Sequence, residues 1–277
     1  MAIQVSVLSD ALGAAIDGVD LSKPVSKDDF AVIEKAMTDH LLIVIRRQKL
    51  DPAELLTALR LFGETMQQHL TDMLMQDHPE IAVLDSRRSP VEKDGSAIPL
   101  GSRDWHTDHT NRERPPKITA LYAVNLPKSG GGDTSFANMH LAYDALPEDL
   151  QNAYAGMKTH NKIENHGYIS ATDKQQFGAV QVHPLVRTHP VTGKRAVYVH
   201  PGKTEKMEGM DAEASQAFVT ELMDRIIQPD IIYRHQWQSG DLLLWDNRAL
   251  LHIAHRDYDA AEGRVMHRVL LEGDVPV

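Results

Sequence analysis

GDLLLWDNRALLH (240–252) is an apolar run, Leu242 to Trp245, followed by an Asp246-Asn247 turn and a return segment that carries His252. By itself it reads as an ordinary hairpin with a half-exposed histidine. Eleven residues further on, GRVMHRVLL (263–271) has the period-two pattern of a strand. Arg264, Met266, Arg268 and Leu270 fall on one face, and Val265, His267, Val269 and Leu271 on the other. Two arginines therefore share an otherwise apolar face. Arginine cannot shed its charge, and leaving one unpaired in a core would cost roughly 3 to 5 kcal/mol, so each needs an anionic partner. Four residues of strand hold their Cα atoms about 13 Å apart, a spacing that suits two different anionic groups better than one. Internal pairing with Asp or Glu is the alternative.

Working outward, Ile118 to Leu126 and Ala196 to His200 also read as strands, bounded by Gly, Pro, Asn and Asp turns. Near the start, Phe30, Ile33, Met37 and Leu41 recur at helical spacing after Ser26, which predicts a helix from Lys27 to His40. LLIVIR (41–46) then reads as a buried strand, and Asp51 with Pro52 opens a second helix through about Phe62. Two more helical stretches run from about Ala142 to Met157 and from Asp211 to Ile227. With no regular βα alternation, the pattern predicts a mainly β fold with helical additions (α+β), a β-sandwich or jelly roll. A single domain over 1–277 is expected, with a helical insertion or lid around 140–180. The polar stretch Ser86 to Arg103 reads as a loop.

Composition removes several classes of function. The formal charge of -10 opposes nucleic acid and anionic lipid, and no long Lys/Arg run offsets it. No apolar run reaches membrane-spanning length, and the N-terminus lacks a signal-peptide pattern, so a cytoplasmic location is expected. There is no cysteine, so a metal would have to be held by His and carboxylates.

In DWHTDHT (104–110), His106 and Asp108 are two residues apart, and on an extended chain both side chains leave the same face toward one ion. The pattern is weak alone, because His78-Pro79-Glu80 and His255-Arg256-Asp257 repeat it. The latter is not the kinase triplet, since no Asn stands five residues after Asp257 and no Gly-rich nucleotide loop precedes it. His109, His140 and His267 are expected in core or surface roles.

WHTDHT, PKSGGGDTSFANMHLAYDAL, HPLVRTHPVTGKRAVYV, GDLLLWDNRALLH and RVMHR occur in the order found in the taurine dioxygenase family of iron(II)/2-oxoglutarate oxygenases, which this chain resembles. GAAIDGVDLSKPVS and LLIVIRRQKL resemble that family's N-terminal region, so the likeness spans nearly the whole chain. It implies a double-stranded β-helix, the cupin-like jelly roll. It implies His106, Asp108 and His252 as a facial triad on Fe(II), with open positions for 2-oxoglutarate and O2. It also implies that Thr134 and Arg264 hold the far carboxylate of 2-oxoglutarate, and that succinate and carbon dioxide are formed. Glycines 130–132 would let the backbone turn sharply before Thr134.

Arg268 matches the position where the taurine enzyme holds the substrate's sulfonate, and implies a small anionic organic substrate. Other taurine-pocket positions differ. Ser102 replaces an asparagine, Lys203 a phenylalanine, and QQHLTD leaves only His69 of an expected His and Tyr pair. A different sulfonate, an alkyl sulfate or an aryloxyalkanoate is therefore expected, gripped by Arg268 with His69, Ser102 or Lys203. A zinc-type metallohydrolase and a non-catalytic jelly-roll sensor are the competing readings. The first gives no reason for Thr134 with Arg264, and the complete triad opposes the second. The resemblance also implies a homo-oligomer, dimer or tetramer.

Overall fold

Ser26 accepts the Asp29 N–H through its hydroxyl at 3.1 Å and starts the helix α1 (Lys27–His40), which ends on Leu41 in the left-handed region. The strand β3 (Leu42–Ile45) follows without a loop, and then a reciprocal Asp51/Glu54 capping box with Pro52 opens α2 (Pro52–Arg60). These elements match the sequence expectation to within two residues. Two short strands precede them, β1 (Gln4–Val7) and β2 (Ala14–Asp17). They were not expected, because β1 is exposed throughout and carries no burial pattern.

The structure is a computed structural model and describes residues 2–68, 71–89, 104–163 and 171–277. After α2 come β4 (Ala82–Asp85), β5 (Ile118–Asn125), β6 (Thr134–Asn138), α3 (Met139–Asp144) and α4 (Glu148–Tyr154). Then follow β7 (Lys158–Asn161), α5 (Ala171–Phe177), β8 (Gln181–Pro184), β9 (Val186–Thr188), β10 (Arg195–Val197) and β11 (Thr204–Met207). The chain closes with α6 (Ala212–Ile226), β12 (Ile232–His235), β13 (Leu242–Asp246), β14 (Leu250–Ala254) and β15 (Val265–Leu271).

Among the described residues a seven-stranded sheet, β1-β2-β3-β13-β5-β15-β4, faces a three-stranded sheet, β12-β6-β14. Between them lie Leu121, Leu243, Trp245 and Met266 from the large sheet and Phe136 and Leu250 from the small one. On the outer face of the large sheet, Ile33, Met37, Leu55 and Leu59 of α1 and α2 pack on Ile43, Leu242, Leu244 and Val269. The small sheet's outer face, with Ala137 and Leu251, is covered by Met139 and Tyr143 of α3 and Val219 and Leu222 of α6. The result is the jelly roll with helical layers. Alternate residues of β13 enter the two cores on either side of the large sheet, which is why that strand is continuously apolar.

Two sequence expectations need correction. GDLLLWDNRALLH is not a hairpin: β13 pairs with β3 and β5, whereas β14 pairs with β6 in the opposite sheet. Asp246 to Ala249 carries the chain across the sandwich, since both neighbouring positions of β13 are already filled. The single helix expected from Ala142 to Met157 is two, α3 and α4, separated at Pro147, which has no N–H to donate and disfavours helix at Leu146.

Candidate metal centre

His106 and His252 are tied to each other through the backbone: the N–H of His106 donates to the His252 carbonyl at 3.0 Å, and that of His252 to the His106 carbonyl at 2.8 Å. Their rings lie 4.1 Å apart between centroids. The chain then leaves the extended conformation, contrary to the expectation for 106–108: Asp108 begins a turn, and His109 has φ +51°. His106, Asp108 and His252 nevertheless bring one ligand atom each within 4.8 Å of the others, with His252 Nε2 3.9 Å from Asp108 Oδ2.

A hydrogen-bond chain replaces strand geometry as the device that aims Asp108. Thr119 on β5 donates its hydroxyl to Asp108 Oδ2 at 2.6 Å and accepts from Asn247 Nδ2 at 2.6 Å. Asn247 Oδ1 in turn accepts the indole N–H of Trp245 at 3.0 Å, and the Asn247 carbonyl accepts the Thr107 hydroxyl at 2.8 Å. On the other side, His106 Nδ1 meets the Asp104 carbonyl at 3.0 Å. A carbonyl only accepts, so Nδ1 carries the proton and Nε2 presents its lone pair.

Burial alone would raise the Asp108 carboxyl, but His252, Arg268 and His106 nearby and the Thr119 hydrogen bond hold it well below the usual carboxylate range. Burial and the neighbouring His106 push His252 down to about 3, with Arg268 and Lys203 adding to the effect and Asp108 opposing it. At neutral pH the cluster therefore holds an unprotonated imidazole and an ionised carboxylate, the states in which they can ligate a metal. Two imidazoles and one carboxylate without sulfur fit an iron(II) centre with open positions.

The glycine run delivers Thr134. Glycines 130–132 all have φ between +72° and +81°. A Cβ on Gly131 would lie 2.2 Å from the Asp257 carbonyl oxygen, and one on Gly132 2.9 Å from the Arg264 side chain, so neither tolerates another residue. The Gly132 N–H donates to Asp257 Oδ1 at 2.9 Å, and Arg234 bridges Asp133 and Asp257. The His255-Arg256-Asp257 triplet thus serves to brace this turn. Thr134 is 2 % exposed, and its Oγ1 accepts the Trp237 indole N–H at 3.1 Å. Arg264 is 7 % exposed; its Nε–H donates to the Gly132 carbonyl at 3.1 Å, and the rings of Trp237 and Tyr258 lie 5.8 Å from its guanidinium carbon. No carboxylate pairs with it among the described residues. A buried guanidinium with only Nε engaged fits the terminal carboxylate of 2-oxoglutarate.

Arg268, half-buried on β15, donates its Nε–H to Gln68 Oε1 at 2.9 Å, and its Nη2 is buried without a hydrogen-bond partner. Gln68 Nε2 donates to the carbonyls of Glu80 and Arg268 at 2.8 and 3.0 Å, which fixes which end of the amide faces the arginine. Gln68 was missed in the sequence, where QQH drew attention to His69. His69 and Ser102 both lie outside the described residues. Lys203 is buried, its N–H donates to His200 Nδ1 at 3.2 Å, and the His200 ring lies 5.3 Å from that of His106. Lys203 thus stands beside the centre, joined to it through His200. The other histidines have structural places: His109 is buried, His140 Nδ1 donates to the Arg195 carbonyl at 2.7 Å, and His267 faces Tyr122. A surface groove of about 850 Å³ around Tyr122 and His267 shares no residue with the triad.

Fold and site define a jelly-roll protein with a two-histidine, one-carboxylate centre, a buried Arg264 and a half-buried Arg268. The taurine catabolism dioxygenase TauD, TfdA family model matches residues 4–270. The chain is 32% identical to pentalenolactone F synthase of Streptomyces avermitilis, over 96% of this chain and 92% of the relative. It is 31% identical to an alpha-ketoglutarate-dependent sulfate ester dioxygenase of Pseudomonas putida, over 99% and 91%. Among solved structures, a taurine dioxygenase from Burkholderia xenovorans superimposes with a TM-score of 0.83 at 29% identity, over 100% of this chain and 91% of that one. The chain belongs to the TauD/TfdA family. It is a 2-oxoglutarate-dependent non-haem iron dioxygenase, using iron(II), 2-oxoglutarate and O2. Among the described residues no helix is long and apolar enough to cross a membrane.

Proposed function

We propose that this dioxygenase hydroxylates a C–H bond of a small organic anion, a sulfonate, alkyl sulfate or aryloxyalkanoate. In this reading His106, Asp108 and His252 ligate the iron, Thr134 and Arg264 hold the distal carboxylate of 2-oxoglutarate, and Arg268 grips the substrate's anionic group, aided by Lys203 and, outside the described residues, His69 and Ser102. The observation that carries it is the pair of arginines at the start and middle of one segment, Arg264 just before β15 and Arg268 within it, each with Nε engaged and, among the described residues, no ion pair with a carboxylate, beside a convergent His-Asp-His cluster. The relative named for sulfate ester oxidation supports an anionic substrate.

Iron bound at the triad supplies dioxygen activation, coupled to oxidative decarboxylation of 2-oxoglutarate to succinate and carbon dioxide. The protein's own residues supply position and dryness. Arg264 and Thr134 fix one end of the cosubstrate, and Arg268 fixes the anion of the substrate so that a C–H bond faces the centre; holding both reactants in place removes most of the entropic cost of their encounter. Trp245 and Phe136 pack against His252, at 4.8 and 6.0 Å between ring centroids, and keep water from the inner side.

The domain is proposed as one catalytic unit over 1–277 with its helical insertion around 140–180. A cytoplasmic homo-oligomer fits the need for intracellular 2-oxoglutarate and the bare edge strand β1, exposed at all its residues. The deciding experiment is an anaerobic absorption titration with iron(II) and 2-oxoglutarate. A weak visible charge-transfer band is expected, absent in H106A, and it should shift on adding alkyl sulfates or aryloxyalkanoates. Folded, iron-loaded protein without the band would refute the cosubstrate assignment, and turnover of uncharged compounds alone would refute the anionic substrate.

A further inference from the structure

One buried side chain touches both groups assigned to the 2-oxoglutarate carboxylate. Trp237 is 9 % exposed; its indole N–H donates to Thr134 Oγ1 at 3.1 Å, and its ring lies 5.8 Å from the guanidinium carbon of Arg264. An indole N–H can only donate, so it occupies a lone pair of the threonine oxygen and leaves the hydroxyl's single proton to be donated elsewhere. A carboxylate is an acceptor only, so the arrangement prepares Thr134 for that class of ligand. The aromatic face toward Arg264 limits where the guanidinium can settle, and the Nε bond to Gly132 fixes its remaining freedom.

The indole is itself firmly held. His235 packs edge-on against it, at 4.7 Å between centroids and 87° between planes. His235 Nε2 is 3.0 Å from Asp241 Oδ2, which also accepts from Arg46 at 2.9 Å and from the Gln238 N–H at 3.0 Å. His235 is in turn the β12 residue paired with Thr134 on β6. The acceptor and the residue that packs against the donor thus stand opposite each other on one pair of strands, with Trp237 two residues beyond β12.

We propose that Trp237 is the positioning residue of the cosubstrate pocket, directing the Thr134 hydroxyl proton toward the distal carboxylate of 2-oxoglutarate and keeping Arg264 beside it. This rests on the assignment of Thr134 and Arg264 made above. The phenylalanine variant keeps a ring but removes the N–H. Anaerobic calorimetric titration of iron(II)-loaded protein with 2-oxoglutarate should show W237F binding roughly 3- to 10-fold more weakly, the worth of one hydrogen bond. In a T134V background the same substitution should change affinity by less than about twofold, because its effect passes through the hydroxyl. Equal weakening in both backgrounds, or none in either, overturns the proposal. Wild-type protein that takes up iron but not 2-oxoglutarate would instead refute the underlying assignment.

A second measurement leaves Trp237 in place, in case W237F folds poorly. The chain has 3 tryptophans, so the indole N–H resonances of zinc-substituted protein form a short set to assign. The Trp237 resonance should move in T134V and stay in T134S, with T134S retaining 2-oxoglutarate affinity within about twofold. An unmoved resonance in T134V overturns the proposal.

Discussion

Asp246 and Arg268 are both charges inside the same large sheet, yet one is closed in by partners and the other is left open. Asp246 accepts from Arg248 Nη2 at 2.6 Å and from His189 Nε2 at 3.0 Å, and the Arg248 N–H adds a third bond at 2.8 Å. Asp241 is engaged on one side only: Arg46, His235 and the Gln238 N–H all meet its Oδ2, and among the described residues its buried Oδ1 has no partner. Among the described residues Arg264 and Arg268 each have Nε committed to the protein and no ion pair with a carboxylate; Arg268 feels Asp108 only through space, and its Nη2 is buried without a hydrogen-bond partner. Closed clusters join elements of the fold and need nothing from outside. Open cations in a buried setting are costly until an anion arrives, and that cost becomes selectivity for anionic ligands.

The comparison breaks first at the proposed metal ligands. D108A should lower turnover at least about a thousandfold and abolish the charge-transfer band, because loss of the carboxylate removes a ligand and its charge together. An iron-binding, active D108A protein would place the centre elsewhere.

Next is the closed side. Burial alone would raise the Asp246 carboxyl, but Arg248 and His189 hold it well below the usual carboxylate range. Its folded-state value is depressed, so its stabilisation is complete above the unfolded value of about 3.9 and is lost as pH falls through the folded one. D246N should therefore cost about 3 to 5 kcal/mol at pH 7 and flatten the acid limb of the stability profile, read by urea unfolding at several pH values. Binding of 2-oxoglutarate by the folded fraction should be unchanged.

The open side is tested by a paired exchange. R264Q should raise KM for 2-oxoglutarate roughly 10- to 100-fold with little change for the organic acid, and R268Q should do the reverse. Equal effects of both on both ligands would dissolve the division of labour along β15.

N247A sits between the two regimes, since Asn247 belongs to a closed chain that ends on Asp108, a proposed metal ligand. Iron affinity should fall about 10-fold, measured by competition with a chromogenic chelator. The smallest effect is expected for Q68A, which frees the Arg268 guanidinium without removing it. Its KM for the organic acid should rise a few-fold, about 1 kcal/mol or less, with 2-oxoglutarate affinity untouched.

Much of this organisation was legible in the chain. The helix after Ser26, the helix opened by Asp51 and Pro52 and the strands Ile118–Asn125 and Val265–Leu271 follow from local chemistry: side-chain caps, proline placement and a two-residue period. The short strands β1, β7, β8 and β11 were not legible, because four residues with mixed exposure carry no usable period. Gln68 was hidden for a similar reason: an amide in a polar stretch gains meaning only when Arg268, 200 residues away, is laid beside it. Trp237, in RHQWQSGD, and Asn247, between Asp246 and Arg248, sit in polar stretches with no signal of their own, and the partners that give them meaning, Thr134 and Thr119, lie on other strands.

By itself the sequence determined which segments are apolar on which faces, that any metal must be bound without sulfur, and that two arginines share one side of a strand. The resemblance of its motifs to a family then determined the chemistry. Only the tertiary structure decided that the run from Gly240 to His252 crosses between sheets, that Asp108 is aimed by Thr119 and Asn247 in a turn, and that Arg268 is held by Gln68. The physical reason is range. Caps and periodicity act within one or two turns of chain, whereas the partner that fixes a buried polar atom is set by strand pairing between residues far apart in sequence.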